Sequence, residues 1–561
     1  MGSNRNRAQI LCVQAELISE LCMSVVPNSR IAGFMGLVLA GMATAGSALA
    51  TGNTGSFTRA ENGVVDYRHI LVHRSARDCA LPAVASLPDS QVLSAEWVPA
   101  NGTDPAWCKV SGLIGPAVRW VAYLPADWNG RLYVHGNGGN AGEALDFESY
   151  HRVRLNAVRN GFAAAFTNTG HDAATEPGAE WAYNDPVREG DYGHRAVHVT
   201  AIAVRALLET FYQQPAGHAY FDGCSTGGRQ GMMEAQRYPD DFDGVLAGAP
   251  VFTLPDMLWQ YQKNSLAVEK TPISAEQLAR LGEFIHSHFD PVDGVSDGVI
   301  GDPLAVDFLP SRDLPRATQD AAGFSAAELV TLDAIYAPVI AAGVEIYPRT
   351  VVGAELPGLV YRDWDRSQAQ VLSAWVGRVV PNADGFMEQP VIVDSWFQYL
   401  AFDEDDPKRD WRAMDPARDR ASMARMRGLM QAVDPHLAPF ARRGGKLIIY
   451  HGWADFGVDP LTTIAYVDAV STATPQPREE FLRLYLVPGM FHCSGGSNVD
   501  SFDLMSLLID WVEAGQAPGA VTANRIESGK VTRTRPLCAY PAIARYNGSG
   551  DPDQADSFSC Q

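Results

Sequence analysis

The sequence has little positive charge. Its 44 Lys and Arg residues stand against 65 Asp and Glu residues, so the net charge is -21 and the isoelectric point is near 5.0. Phosphate backbones and anionic lipids repel such an acidic surface, which excludes nucleic acid and anionic membrane surfaces as partners. The sequence also lacks internal repeats and low-complexity tracts, and beyond residue 50 no apolar run is long enough to span a bilayer. We therefore expect a soluble mature protein.

Residues 1–50 have the pattern of a secretory signal. Arg30 precedes the apolar run Ile31–Ala40, and small residues continue as far as Ala48-Leu49-Ala50. A positive segment, an apolar segment and an A-x-A site are typical of a cleaved signal peptide. A membrane anchor is the alternative, but the run is short and glycine-rich for a span and lacks a stop-transfer flank. We predict cleavage near Ala50 and a secreted or periplasmic mature chain without a membrane segment.

Cysteine is scarce, and its distribution fits export. Two of the eight cysteines fall in the leader, and an even number remains in the mature chain. An even count in an exported chain predicts disulfides, although the sequence alone does not choose among the possible pairings. Proximity along the chain favours two local bonds and leaves a third, long-range pair: Cys79–Cys108, Cys538–Cys560 and Cys224–Cys493.

The alternation of short apolar runs with helical segments predicts an α/β fold. It extends from about residue 115 to 250 and resumes from 445, which indicates a mostly parallel, doubly wound sheet. Between these parts the pattern changes to helical segments, aromatics and acid-rich loops. We therefore predict one catalytic domain formed by residues 51–250 and 441–561, interrupted by an inserted lid at 251–440. Such a lid would lie over the catalytic face, since ligands bind at the carboxyl ends of the strands.

The segment Gly223-Cys224-Ser225-Thr226-Gly227 indicates a nucleophilic serine. It is a G-x-S-x-G motif that follows an apolar run and precedes a helical pattern, as in the nucleophile elbow of α/β-hydrolases. A serine that only caps a helix is the alternative. In that fold the acid and then the histidine follow the serine along the chain. Asp455 and His492 come after successive later strands and have this order, with Asp459 as an alternative acid and a buried structural role as the alternative for His492.

A glycine turn at 136–139 follows an early strand and predicts part of an oxyanion hole. We expect the backbone N–H of Gly138 to be one donor and that of Thr226 to be the other. A phosphate-binding loop is the alternative for such a turn. The turn lacks both the Lys-Ser/Thr pair of a P-loop and the spacing of a dinucleotide site.

The segment from Asp290 to Asp302 contains four carboxylates and three glycines. Hard oxygen ligands at this spacing suit Ca²⁺, with glycines that let carbonyl groups turn inward. The segment is not an EF-hand, because it lacks the bidentate Glu at the twelfth position. A solvated acidic loop is the alternative.

Three segments together resemble the tannase and feruloyl esterase family: 223–231, 450–455 and the pair His492-Cys493. The resemblance runs from about residue 75 to the C-terminus. It implies an α/β-hydrolase with a large lid, a triad of Ser225, Asp455 and His492, and a Cys224–Cys493 bond beneath that triad. It also implies a lid calcium with side-chain ligands and two carbonyl ligands: Asp290, Asp293, Asp297, Val295 and Val299. The family usually brackets this loop with a disulfide, where this chain has Phe289 and Val306.

The resemblance also implies small-molecule aromatic esters as substrates. Family members act on esters of gallate, ferulate and other hydroxycinnamates, and one bacterial branch acts on a terephthalate monoester. That branch has Glu after the serine, where this chain has Thr226. We therefore predict a feruloyl-type esterase, with a tannase or terephthalate-monoester hydrolase as alternatives and a serine peptidase as a weaker one. Acyl transfer by a triad needs no organic cofactor, so the calcium would be structural.

Overall fold

A nine-stranded mixed sheet forms the centre of the computed structural model. The structure describes residues 72–80, 90–318, 322–356, 360–362, 369–371, 375–376, 378–381, 385 and 387–561. The predicted signal peptide at 1–50 lies outside the described residues. Within them, no helix combines the length and the apolar character needed to cross a bilayer.

The strands and helices follow one another with the bounds below. The strands are β1 (Val72–His73), β2 (Ser90–Val98), β3 (Trp107–Ile114), β4 (Val118–Pro125), β5 (Asp127–Trp128), β6 (Arg131–His135), β7 (Ala163–Thr167), β8 (His218–Cys224), β9 (Gly244–Gly248), β10 (Val339–Ala341), β11 (Val344–Tyr347), β12 (Val360–Arg362), β13 (Ala369–Val371), β14 (Lys446–Gly452), β15 (Leu482–Val487), β16 (Val521–Glu527), β17 (Lys530–Leu537), β18 (Ala544–Tyr546) and β19 (Phe558–Cys560). The α-helices are α1 (Glu148–Arg159), α2 (Pro186–Gly190), α3 (Ala196–Tyr212), α4 (Thr226–Arg237), α5 (Leu254–Lys270), α6 (Ala275–Phe289), α7 (Pro310–Asp313), α8 (Ala326–Tyr336), α9 (Glu388–Tyr399), α10 (Pro416–Asp419), α11 (Ala424–Met430), α12 (Ala438–Arg442), α13 (Pro460–Ala473) and α14 (Leu504–Ala514).

The central sheet has the spatial order β15-β14-β9-β8-β6-β7-β4-β3-β2. The strands from β15 to β7 are parallel, whereas β4, β3 and β2 continue the sheet in antiparallel pairs. The predicted α/β-hydrolase fold is therefore correct, with an antiparallel edge that the sequence pattern did not indicate. All five residues of β6 and all five of β7 are buried, as expected for strands covered on both faces.

Side chains alternate between two cores because successive residues of a strand point to opposite faces. In β14, Leu447 and Ile449 join the core under α3, α4 and α13, while Ile448 and Tyr450 join the core under α1 and α14. This arrangement of helices on both faces is the doubly wound architecture that the alternating pattern predicted.

The segment between β9 and β14 is inserted between two neighbouring parallel strands. Its described residues add no strand to the central sheet and instead form helices and short hairpins. Two buried clusters involve the segment, one around α5, α9 and α11 and another around α6 and α8, and both also include residues of the α/β part, such as Tyr192 and Phe456. The segment corresponds to residues 251–440, for which a lid stays a prediction.

Three disulfides join the chain, and their pairing is the one that sequence proximity favoured. The pairs are Cys79–Cys108, Cys224–Cys493 and Cys538–Cys560. The first attaches the segment before β2 to β3, and the last closes the C-terminal strands. The second joins the end of β8 to the loop after β15 and lies at the catalytic edge of the sheet.

Candidate active site

Ser225 occupies the sharp turn between β8 and α4. Its backbone has φ 64° and ψ -120°, a left-handed φ that non-glycine residues rarely adopt. Such a conformation costs on the order of 1–3 kcal/mol and persists only where the surroundings enforce it. The Ser225 N–H donates to the Gly248 carbonyl at 2.9 Å, which ties the turn to the end of β9. The turn thereby places the serine at the carboxyl end of the parallel strands.

The glycines that flank Ser225 are required by close backbone contacts. A Cβ atom at Gly223 would lie 2.7 Å from the carbonyl carbon of Gly227. A Cβ atom at Gly227 would lie 2.9 Å from the carbonyl oxygen of Asn137, and one at Gly228 would lie 2.2 Å from that of Gly248. Only hydrogen fits at these positions, which explains the G-x-S-x-G spacing and packs the elbow against the glycine turn.

His492 and Asp455 form a close pair. The Nδ1 atom of His492 lies 2.6 Å from Oδ2 of Asp455. The other oxygen, Oδ1, accepts the N–H groups of Gly457 and Val458, each at 2.9 Å. A proton on Nδ1 makes Nε2 the basic nitrogen, which is the tautomer that a general base needs.

Asp455 is buried yet remains an acid of low pKa. Burial by itself raises its pKa, but the charge of His492 and hydrogen bonds from His451 and His492 outweigh burial and hold the pKa below its ordinary value. His451 is fully buried beside this carboxylate. Its Nε2 lies 3.2 Å from Asp455 Oδ2 and 2.9 Å from the Val458 carbonyl, so it fixes the acid loop.

Asp459, the alternative acid, has a different role. Its Oδ1 accepts the N–H of Leu461 at 2.9 Å and caps the N-terminus of α13. Burial, reinforced by the charge of Asp455, raises the pKa of Asp459 to about 8. The structure therefore pairs His492 with Asp455.

The Cys224–Cys493 bond brings the serine and histidine loops together. The two Cα atoms are 6.0 Å apart, and each cysteine is directly bonded in sequence to Ser225 or His492. The histidine loop also crosses the end of β14, since the Ala454 N–H donates to the Met490 carbonyl at 3.0 Å. The disulfide thus places Ser225 and the His492–Asp455 pair at the same edge of the sheet.

The glycine turn corrects one prediction. The N–H of Gly138 is already donated to the Tyr150 hydroxyl at 2.8 Å, so it is engaged by the protein itself. The N–H of Gly139 has no hydrogen-bond partner among the described residues, and a Cβ atom there would meet nothing within 4 Å. Gly139 replaces Gly138 as the amide that suits an oxyanion hole. Thr226 is the first residue of α4, and its hydroxyl donates to the Gly139 carbonyl at 2.7 Å. The role of its N–H in an oxyanion hole stays a prediction.

A buried network that the sequence did not reveal supports this turn. The Tyr150 hydroxyl donates to Glu143 Oε1 at 3.1 Å, and Asn137 Nδ2 donates to Glu143 Oε2 at 2.8 Å. The Asn137 N–H donates to Gln230 of α4 at 2.9 Å. The network therefore connects the glycine turn to the nucleophile helix. Burial raises the pKa of Glu143 despite these hydrogen bonds.

The inserted segment reaches the catalytic loops. Tyr261 of α5 donates its hydroxyl to the Gly457 carbonyl at 2.9 Å, next to the acid. Trp396 of α9 donates its indole N–H to Asn140 at 3.0 Å, next to the glycine turn. The lid therefore borders the site on two sides.

The acidic loop of the lid contains the predicted calcium ligands. Asp290 and Asp293 accept backbone N–H groups of the loop, at 2.9 Å from Gly298 and 2.7 Å from Gly301. Burial, followed by the charges of Asp297 and Asp290, raises the pKa of Asp293 to about 6. The donors fit Ca²⁺ in kind, because carboxylate and carbonyl oxygens are the ligands that this hard cation prefers.

Two further contacts bear on this loop. Asp297 forms an ion pair with Arg535, which supplies part of the positive charge that the loop needs. In the described part of the chain, the carboxylates of Asp290, Asp293 and Asp297 do not all lie within 4.8 Å of one another. Val306 is buried, and Phe289 packs against Phe308 with ring centroids 5.9 Å apart. Apolar packing therefore takes the place of the bracketing disulfide. Val295 and Val299 lie in the loop, and their N–H groups donate to Asp293 and Asp297.

Comparison with known proteins agrees with this geometry. The model of the family described as tannase and feruloyl esterase matches residues 104–561. The chain is 32% identical over 520 residues to mono(2-hydroxyethyl) terephthalate hydrolase of Piscinibacter sakaiensis, covering 81% of this chain and 85% of that protein. It is 28% identical over 487 residues to feruloyl esterase B of Aspergillus niger, covering 81% and 86%.

Solved structures share the fold. Feruloyl esterase B from Aspergillus oryzae superposes with a TM-score of 0.74 at 24% identity, over 87% of this chain and all of that chain (100%). Tannin acyl hydrolase from Aspergillus niger superposes with a TM-score of 0.62 at 20% identity, over 86% and 94%.

Proposed function

The chain belongs to the tannase and feruloyl esterase family of carboxylic ester hydrolases, and we propose that it is an exported serine esterase of aromatic acid esters. The observation that carries this proposal is the His492–Asp455 pair, held beside Ser225 by the Cys224–Cys493 bond. A nucleophile, a base and an orienting carboxylate are the parts that acyl transfer to serine requires.

The reaction would proceed in two halves. His492 Nε2 takes the proton of the Ser225 hydroxyl while the serine oxygen attacks the ester carbonyl, and Asp455 stabilises the imidazolium that forms. The N–H groups of Thr226 and Gly139 stabilise the oxyanion of the tetrahedral intermediate. Collapse expels the alcohol, which takes the proton from His492 and leaves an acyl-serine. In the second half, His492 takes a proton from water, the water oxygen attacks the acyl-serine, and collapse returns the proton to Ser225 and releases the acid.

The surroundings of the glycine turn favour an aromatic acyl group. Trp396 holds Asn140 by its indole N–H, and its ring lies 5.8 Å from that of Tyr192. Tyr192 in turn lies 5.3 Å from Trp181, which stacks on His171 at 4.2 Å. Flat rings next to the glycine turn suit a planar aromatic acid. Most other lid aromatics form the lid core, as Trp259 and Phe397 do at 4.8 Å.

We favour feruloyl and related hydroxycinnamoyl esters, because several relatives are named feruloyl esterases and Thr226 follows the serine. The relative named as a terephthalate-monoester hydrolase supports that substrate as the second candidate. A panel of methyl ferulate, methyl gallate, a terephthalate monoester and p-nitrophenyl acetate separates the choices. We expect the highest kcat/KM for methyl ferulate. Cleavage of p-nitrophenyl acetate alone would contradict the aromatic substrate class.

We further propose that the acidic loop binds Ca²⁺ through Asp290, Asp293 and Asp297, with the carbonyls of Val295 and Val299. The ion would supply positive charge and cross-link the loop, and it takes no part in acyl transfer. Export of the chain is supported by its three disulfides, which persist in oxidising compartments. N-terminal sequencing of the protein recovered outside the cytoplasm should give a start close to residue 51.

A further inference from the structure

A cluster of three ligand-type side chains lies behind the nucleophile helix, outside the site described above. His198 belongs to α3, Glu234 to α4 and Asp241 to the turn before β9. One nitrogen or oxygen atom from each lies within 4.8 Å of the other two, and His198 Nδ1 is 2.5 Å from Asp241 Oδ2. Glu234 is nine residues from Ser225, roughly 13 Å along the helix. The cluster therefore lies away from the reacting atoms.

The Glu234 carboxylate lacks a positively charged partner in the cluster. The residue is 1% exposed, its carboxylate oxygens have no basic or amide donor among the described residues, and the side chain that faces it, Asp241, is a second acid. Burial of an unpaired carboxylate is costly, and the nearby negative charge of Asp241 adds to the cost. Arg205 approaches this turn, but it donates to the backbone carbonyl of Asp241. A cation or a proton must therefore complete the cluster.

We propose that His198, Glu234 and Asp241 bind a divalent transition-metal cation of the Zn²⁺ type. Imidazole nitrogen together with carboxylate oxygen suits zinc, whereas Ca²⁺ prefers oxygen ligands alone. Ligand atoms around a tetrahedral zinc ion are roughly 3.4 Å apart. Binding would therefore separate His198 from Asp241, now 2.5 Å apart, and draw atoms that are up to 4.8 Å apart closer together.

The setting of the three side chains fits a structural ion. The His198 ring stacks on Tyr238 with centroids 3.8 Å apart, which fixes its orientation as outer contacts of metal ligands commonly do. The His198 side chain is 25% exposed, so water has access to complete the coordination. The ion would join α3, α4 and the turn before β9 and would brace the helix that begins at Ser225.

The test uses the full mature chain, dialysed against chelator and titrated with ZnCl₂ and, separately, with CaCl₂. We expect isothermal titration and elemental analysis to find an equimolar amount of zinc in the wild type, with a rise in Tm on zinc addition. Glu234→Gln keeps the shape but removes the carboxylate, so it should lose the zinc and the rise in Tm. His198→Gln, at a partly exposed position, provides a second variant if Glu234→Gln does not fold.

Asp293→Asn is the matched control, because it removes a carboxylate from the acidic loop and should leave zinc binding unchanged. Two results would overturn the proposal. One is a wild type that binds no zinc while Glu234→Gln keeps the same Tm, which would show that a proton neutralises Glu234. The other is undiminished zinc binding in both Glu234→Gln and His198→Gln, which would place the zinc elsewhere.

Discussion

Removal of the Cys224–Cys493 bond should reduce catalysis more than its effect on stability explains. The strands β8 and β15 are separated by β9 and β14, so the serine and histidine loops start three inter-strand spacings apart, roughly 14 Å. The histidine loop returns over the end of β14, where a Cβ at Gly452 would lie 2.2 Å from the Met490 carbonyl oxygen. The disulfide then spans the remaining gap, with Cα atoms 6.0 Å apart.

The perturbation is Cys224→Ala together with Cys493→Ala. The bond closes a segment with a sequence separation of 269. In the chain-entropy treatment this corresponds to about 5.6 kcal/mol at 25 °C, an upper value because native strain and residual structure reduce it. A displacement of about 1 Å in catalytic geometry can cost about a hundredfold in rate. We therefore expect kcat to fall about a hundredfold in protein that remains folded.

The assay is kcat and KM on methyl ferulate well below the Tm of each variant, with folding checked by circular dichroism. The matched control replaces Cys538 and Cys560, whose sequence separation is 22 and whose loss costs about 3.4 kcal/mol in the same treatment. The control should lower Tm and leave kcat unchanged. A wild-type kcat in the folded Cys224/Cys493 variant would refute the reasoning, as would an equal loss of kcat in the control.

Four further predictions concern residues around the triad and the acidic loop. Asp455→Asn should lower kcat about 10⁴-fold. Asp459→Asn keeps a side chain that can cap the helix, so its kcat should stay near the wild type. A larger loss of kcat in Asp459→Asn than in Asp455→Asn would make Asp459 the acid of the triad. Because the folded pKa of Asp459 is raised from 3.8 to about 8, the folded state holds this proton more tightly than the unfolded chain, so wild-type stability should fall as pH rises through that window. Asp459→Asn should remove this fall, and parallel denaturation curves for both proteins would argue against it. Tyr150→Phe should lower kcat roughly tenfold with little change in KM, because it releases the turn that carries Gly139. The control is Tyr212→Phe, which removes a buried hydroxyl far from the turn. Equal kinetics of the two variants would show that Tyr150 does not position the turn. In the wild type, chelation should lower Tm and CaCl₂ should restore it, whereas CaCl₂ should not restore the Tm of Asp293→Asn. A wild-type Tm that neither treatment changes would show that the acidic loop binds no metal.

Local motifs made much of the fold and site predictable. The G-x-S-x-G motif marked the turn at Ser225, although the contacts of Gly227 and Gly228 reach Asn137 and Gly248 in other parts of the chain. Chain order placed Asp455 and His492 after successive strands. The parallel part of the sheet followed from buried strands alternating with helices. The edge strand β2 was harder to predict, because it is largely exposed and lacks a continuous apolar run.

The choices that the sequence left open, or decided wrongly, depend on long-range contacts. Asp455 and Asp459 follow the same strand, so chain order alone does not choose between them. The N–H groups of Gly457 and Val458 hold the Asp455 carboxylate so that it faces His492. Gly138 was the wrong donor because Tyr150, from the following helix, takes its N–H. No local pattern shows that contact.

The most direct test of the central claim is trapping of the acyl-enzyme. Mature protein is mixed with methyl ferulate, quenched in acid during turnover and analysed by intact mass and peptide mapping. We predict a feruloyl adduct on the peptide that contains Ser225, and neither adduct nor turnover in folded Ser225→Ala. An adduct on another residue, or more than a few per cent of wild-type activity in Ser225→Ala, would contradict the account.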